Sequence, residues 1–182
     1  MPKPDFYSYV SNLAAVHNAP WMIRVYQEDC YFVWSKKYPD LNPYFMLNIG
    51  YAESRYCNWA ISSAGARGTW QIKPDMWDFL LWYIDSGKLE GRHNLNVLTF
   101  EQRSKLFNVV YYNFEMACSI IHLMKKKWGS YELALLAYRY GDAPGNADFN
   151  YYRAHMNEWR ASEYYLFCFN EGYLNARVKR KD

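Results

Sequence analysis

The run Glu53-Ser54-Arg55-Tyr56-Cys57-Asn58-Trp59-Ala60-Ile61-Ser62-Ser63-Ala64-Gly65-Ala66-Arg67-Gly68-Thr69-Trp70-Gln71 decides the reading of this chain. Just upstream, Asn42-Pro43 is a helix start, because Asn caps a helix and Pro suits its first position. From Pro43 the residues Phe45, Met46, Ile49 and Ala52 keep helical spacing, so the spacing predicts a helix ending near Tyr56. Glu53 then lies in its last turns. Residues 62–69 read as a loop in which Gly65 and Gly68 permit tight turns. An acid at a helix end, followed by a glycine-punctuated loop and a glutamine, reads as a carboxyl group set into a cleft.

Outward from this run the chain reads as a string of helices. Asp5 caps a first one, with Phe6, Val10, Leu13 and His17 at helical spacing. Pro20 opens a second that runs through Val25 and Phe32 toward Lys36, and Tyr38-Pro39-Asp40 is a turn. Pro74 starts another, with Met76, Phe79, Leu80, Tyr83 and Ile84 on one face, and Gly87 ends it. Residues 88–98 are polar and irregular. Thr99-Phe100-Glu101-Gln102 is a capping box for a long helix, striped by Leu106, Val109, Val110, Ala117, Ile120, Ile121 and Met124 and stopped by Gly129. Ser130 caps a shorter helix ending at Gly141, residues 142–146 form a loop, and a last amphipathic helix covers 148–169. Strand signals are few. The 182 residues suffice for one domain with a real core, and no repeat or linker divides them.

Composition narrows the function. A chain that is 51% hydrophobic is not disordered, and 19 tyrosines suit either a core or a groove for sugars or peptides. A net charge of +3, with basic runs only at Lys125-Lys126-Lys127 and at 177–181, gives no nucleic-acid footprint. Cys30, Cys57, Cys118 and Cys168, like His17, His93, His122 and His155, have no metal-site or redox-motif spacing, so no metal and no cofactor are expected. A disulfide would require export. No apolar stretch is long enough to span a bilayer, and the opening residues do not resemble a signal peptide. Synthesis in the cytoplasm is therefore expected, with the protein virion-associated or released to the cell wall.

Three blocks carry a family likeness. The first is Glu53-Ser54, with Asn58 and Ala60 following. The second is Ser62 to Gln71, with Gly65, Ala66, Gly68 and Gln71 in the pattern Ser-x-x-Gly-Ala-x-Gly-x-x-Gln. The third is Leu133-Ala134-Leu135-Leu136-Ala137-Tyr138-Arg139-Tyr140-Gly141, and Asn113 and Ala117 fit between them. On these residues the chain resembles the soluble-type (SLT) lytic transglycosylase domain of the lysozyme-like superfamily. The likeness covers about residues 44–152. It implies a mostly α, lysozyme-like single domain with extra N- and C-terminal helices. Residues 1–40 would form a packed N-terminal helical extension, 41–155 the transglycosylase domain, and 156–182 a C-terminal helix and basic tail.

The resemblance also implies the chemistry. Glu53 protonates the oxygen leaving the MurNAc-GlcNAc β-1,4 bond, then acts as base on the sugar's own 6-hydroxyl, which closes to a 1,6-anhydro end. One carboxylate suffices, and no second acid stands at a motif position, although Asp75, Asp78 and Asp85 follow closely. Burial and the helix end would raise the Glu53 pKa, with Tyr51, Tyr56, Trp59 and Trp70 as candidate apolar wall, although Trp70 alone reads as core. By likeness, Tyr138 points its hydroxyl at Glu53, while Ser62, Gly65, Gly68, Gln71 and Arg139 bind the glycan. Two departures stand out: Thr69-Trp70 replaces the family's Leu-Met, and Arg139 replaces its Asn. Arg139 would meet an anionic group of the substrate, such as a lactyl-peptide carboxylate. The expected partners are peptidoglycan strands and other virion or secretion-apparatus proteins, in a phage-encoded setting. The alternatives are a hydrolytic, goose-lysozyme-like muramidase and a non-catalytic wall-binding or virion structural protein.

Overall fold

The structure, a computed structural model, describes residues 3–16, 25–73, 75–76, 108–142 and 145–169. Helix α1 (Lys3–Val16) buries Phe6, Val10, Leu13 and Ala14 along one stripe. A π-helical turn (Tyr26–Cys30) leads into α2 (Tyr31–Lys37), where a regular helix was expected. Tyr26 and Cys30 of that wide turn are both fully buried. The Tyr26 hydroxyl donates to Asn58 Oδ1 at 3.0 Å and lies 2.8 Å from Thr69 Oγ1, so the turn is bonded to the loop that follows Glu53.

Helix α3 (Pro43–Ser54) is the centre of the molecule. The Asn42 side chain accepts from the amides of Tyr44 and Phe45, and Pro43 occupies the first turn, as the sequence implies. From Phe45 to Gly50 every residue is buried, the mark of a helix enclosed on all sides. Gly50 is required there: a Cβ would lie 2.9 Å from Thr69 Cγ2 and 3.0 Å from the Trp70 ring. Arg55 and Tyr56 adopt positive φ, which ends the helix at Ser54, one residue after Glu53.

Helix α4 (Val110–Trp128) is stopped by left-handed Gly129, and α5 (Tyr131–Tyr140) is capped by Ser130, whose Oγ accepts from the Leu133 amide at 3.2 Å. The two helices pack on each other. The long helix expected over 99–129 is corrected at its front. Val109 is extended and the helix begins at Val110. This start places Asn113 in the first turn, where its side chain accepts from the Trp70 amide at 2.8 Å and donates to the Arg67 carbonyl at 3.1 Å. The capping box at Thr99, the start at Pro20, and the helix from Pro74 beyond Met76 lie outside the described residues.

The last helix is also corrected: 148–169 is three short helices, α6 (Ala147–Ala154), α7 (Met156–Ala161) and α8 (Glu163–Phe169). His155 leaves helical geometry at φ −109°, ψ 47°, and Ser162 is extended with its Oγ accepting from the Tyr165 amide. These bends let α8 pack against α3. The core unites residues of α1 through α8, with Trp70 and Trp159 among its largest fully buried side chains. Among the described residues no helix is long and apolar enough to cross a membrane, and all four cysteines are free thiols.

Candidate active site

The loop after Glu53 is tied to itself. Ile61 bridges to Arg67 and Arg67 to Ile72, through bonds such as Arg67 N–H to Ile72 O at 2.9 Å. Ser62 Oγ accepts from the Ala66 amide at 3.0 Å. Gly65 and Gly68 take φ of 79° and 76° at its corners. Gln71, itself at φ 49°, donates from Nε2 to the carbonyls of Ala60 (3.2 Å) and Gly68 (2.9 Å). This small, self-bonded loop forms one wall of a cleft of about 580 Å³; α5 and the middle of α4 form another.

Glu53 sits in that cleft on the last turn of α3, with only 6% of its side chain exposed. Its two oxygens have different partners. Tyr164 of α8 donates its hydroxyl to Oε1 at 2.5 Å, and Arg139 of α5 donates from Nη1 to Oε2 at 3.0 Å. The Arg139 guanidinium also lies over the Tyr164 ring, 4.7 Å from its centroid. Burial raises the carboxyl's pKa above its ordinary value; the Arg139 charge and the bonds from Tyr164 and Arg139 oppose that rise without cancelling it. Burial likewise raises Tyr138 and Tyr164, so both stay protonated and act as donors.

Of the residues expected at the glycan, Glu53, Ser62, Gln71, Tyr138 and Arg139 line the cleft. Gly65 and Gly68 are not on its wall and serve the loop's corners. Tyr138 does not point its hydroxyl at Glu53: it donates to the Trp70 carbonyl, and the donor to the acid is Tyr164. The apolar wall is also different. Tyr56 and Trp70 are fully buried, and Trp59 is exposed. Ala66, Ile72, Met76, Ile120, Met124 and Ala137 supply the apolar surface instead.

Sequence reasoning missed Tyr164. It lies 111 residues from Glu53 in a Tyr-rich helix, and no local spacing marks it. Two further carboxylates line the cleft. Asp142 is bound by Lys127 Nζ at 2.7 Å and Trp128 Nε1 at 3.1 Å, while exposed Asp75 accepts from the Met76 amide. Among the described residues no three His, Cys, Asp or Glu side chains gather as a metal site.

A mostly helical domain with one buried acid at a helix end, facing a cleft beside a glycine-cornered loop, is of the lysozyme-like class. The chain belongs to the transglycosylase SLT domain family, whose model matches residues 29–159. The membership supports lytic transglycosylase activity on peptidoglycan. No curated protein and no solved structure matches the chain.

Proposed function

We propose that the protein cleaves the MurNAc-GlcNAc β-1,4 bond of peptidoglycan with Glu53 as acid and then base, leaving 1,6-anhydro-MurNAc ends. The observation that carries this reading is the Glu53 carboxyl, almost fully buried at the end of α3 yet facing the cleft. Its raised pKa favours the protonated form that a general acid needs. Protonation of the glycosidic oxygen breaks the bond to the anomeric carbon. The resulting carboxylate then accepts the proton of the 6-hydroxyl as its oxygen closes onto that carbon. The nucleophile belongs to the substrate, so the site needs neither a bound water nor a second carboxylate. Tyr164 orients Glu53, and Tyr138 fixes the Trp70 backbone ahead of Gln71. Ser62 and Gln71, in the loop shaped by Gly65 and Gly68, and Arg139 of α5 are the proposed glycan contacts.

Digestion of purified peptidoglycan, followed by mass spectrometry of the muropeptides, tests this directly. Anhydro ends support the proposal. Reducing ends in their place favour a hydrolytic muramidase, a reading supported by the presence of Asp75 on the cleft wall. Binding to the wall without any release points to a non-catalytic role. A phage-encoded setting, virion-borne or released at lysis, is part of the same proposal. It fails if the protein is absent from purified particles and from lysates at the time of lysis.

A further inference from the structure

Arg139 stands between the proposed acid and the open cleft. Its side chain is 43% exposed while that of Glu53 is 6% exposed, so the guanidinium meets the carboxyl from the solvent side. The contact is single: Nη1 alone reaches Oε2, and the planar fork that matches a carboxylate with two parallel bonds is not closed on Glu53. The other oxygen is held independently by Tyr164. If Arg139 turned away, Oε2 would lose its donor while Oε1 kept one. The oxygen so released would be free to take a proton and deliver it.

A general acid must carry that proton, and a guanidinium at 3.0 Å favours its loss. The contact therefore opposes the first chemical step. Other groups facing Glu53 do not replace it. Tyr138 on α5 and Tyr164 and Cys168 on α8 are kept protonated by burial. Lys73, Asp75 and Asp142 line the cleft, with no hydrogen bond or ion pair from any of them to Glu53 among the described residues.

We infer that Arg139 is a carboxylate-reading latch: it holds Glu53 through this single contact and gives it up to a carboxylate on the glycan strand, so that an anionic strand arms the acid. Once Arg139 has turned to the strand, Glu53 takes a proton from solvent at Oε2 and passes it to the glycosidic oxygen. Glu53 is nearly buried, so losing the guanidinium is offset by the proton that Oε2 then takes up, which leaves no buried unpaired charge, and a bidentate contact with the strand replaces the single bond at Arg139. The carboxylate belongs either to the lactyl group of a bare MurNAc or to the stem peptide. This inference rests on the transglycosylase reading for its consequence and on the Arg139–Glu53 geometry for its mechanism.

Three substrates separate the sources: strands with intact stem peptides, strands stripped to the lactyl carboxylate, and stripped strands converted to the neutral methylamide. The wild type is expected to prefer at least one carboxylate form over the methylamide by about tenfold in kcat/KM, the scale of a charge-assisted hydrogen bond. Whichever form is preferred identifies the source. Arg139→Asn, an exposed change whose folding is checked by thermal melting, is expected to reduce the preference below about threefold, and Arg139→Lys to restore part of it. A preference below threefold in the wild type, or one that survives in Arg139→Asn, overturns the latch. Equilibrium binding gives a readout that needs no turnover. In Glu53→Gln the latch has lost its charged partner, so carboxylate strands should bind about tenfold tighter than to the wild type, with methylamide strands unchanged. Equal affinities there overturn the latch even if cleavage is intact. Tighter binding with no cleavage by the wild type sinks the transglycosylase reading and leaves the latch geometry standing.

Discussion

Tyr164 and Glu53, 111 residues apart, meet through a 2.5 Å hydrogen bond from the phenol to carboxyl Oε1. Tyr164 lies beyond the stretch matched by the family model, which ends at residue 159. The acid of α3 is therefore completed by a helix that follows the matched domain. Two bends make this possible, at His155 and Ser162, because a straight helix through these residues would not turn α8 back onto α3.

Replacing this phenol removes a bond that stabilises the charged carboxyl. Tyr164→Phe should raise the Glu53 pKa further, since burial then acts with one less opposing contact. Activity that depends on protonated Glu53 falls as pH rises through that pKa. The alkaline limb of the kcat/KM profile should therefore move to higher pH, with a several-fold loss of kcat from the less constrained acid. A limb that stays in place, measured on the same wall substrate, would remove Tyr164 as a positioning residue.

Glu53→Gln should lower turnover by about 10³-fold, within the usual range for loss of general acid-base catalysis. The readout is muropeptide release per enzyme. Wall clearing at the wild-type rate would show that another group is the acid, and Asp75 would be the next to replace.

The same substitution should stabilise the fold near neutral pH. The carboxyl's pKa is raised above its unfolded value of about 4.3, so the folded state holds the proton more tightly. The resulting stability is fully present below about pH 4 and is lost as pH rises through the folded pKa. Glutamine stays neutral throughout. The Tm of Glu53→Gln minus that of the wild type should therefore grow between pH 4 and pH 8. A difference that is constant or shrinks with pH would contradict the burial account of the shift.

Where local chemistry decides geometry, the sequence was legible. Asn42-Pro43, Gly129, Ser130 and Gly141 act through their own neighbours, and the helices start or stop there as expected. The buried acid followed from the same reasoning, because the helix from Pro43 places Glu53 in its last turn. The misses share a different cause. The helix start at Val110, the hydroxyl of Tyr138 and the partner of Glu53 depend on contacts between distant segments: Asn113 with Trp70, Tyr138 with Trp70, and Tyr164 with Glu53. Periodicity carries no information about which of many tyrosines reaches the acid. The aromatic wall failed for a related reason. Trp70 is large enough to fill the space behind the loop and donates its Nε1–H to the Met46 carbonyl, so it faces the core, not the cleft.

Gly50→Ala tests the approach of α3 to that loop. The added methyl would meet Thr69 Cγ2 at 2.9 Å and Trp70 Cε2 at 3.0 Å, and both neighbours are fully packed. Overpacking of this kind costs roughly 1–3 kcal/mol, so the Tm should drop by several degrees. Activity should fall as well, because Trp70 carries the carbonyl that holds Tyr138 and precedes Gln71. An unchanged Tm would mean that the loop shifts freely and that its packing on α3 does not define the cleft.

Tyr138→Phe separates a structural tyrosine from a positioning one. Its hydroxyl serves the Trp70 carbonyl, and its loss would leave that acceptor without its donor, costing roughly 1–3 kcal/mol. Glu53 loses no hydrogen bond in this variant, since its donors are Tyr164 and Arg139. The expected result is a lower Tm and a reduced kcat with an alkaline limb that does not move. Tyr164→Phe is expected to move that limb, so the pair of profiles, taken under identical conditions, assigns the two phenols. If Tyr138→Phe displaced the limb and Tyr164→Phe did not, Tyr138 would be the residue that orients the acid during turnover, and Tyr164 would lose that role.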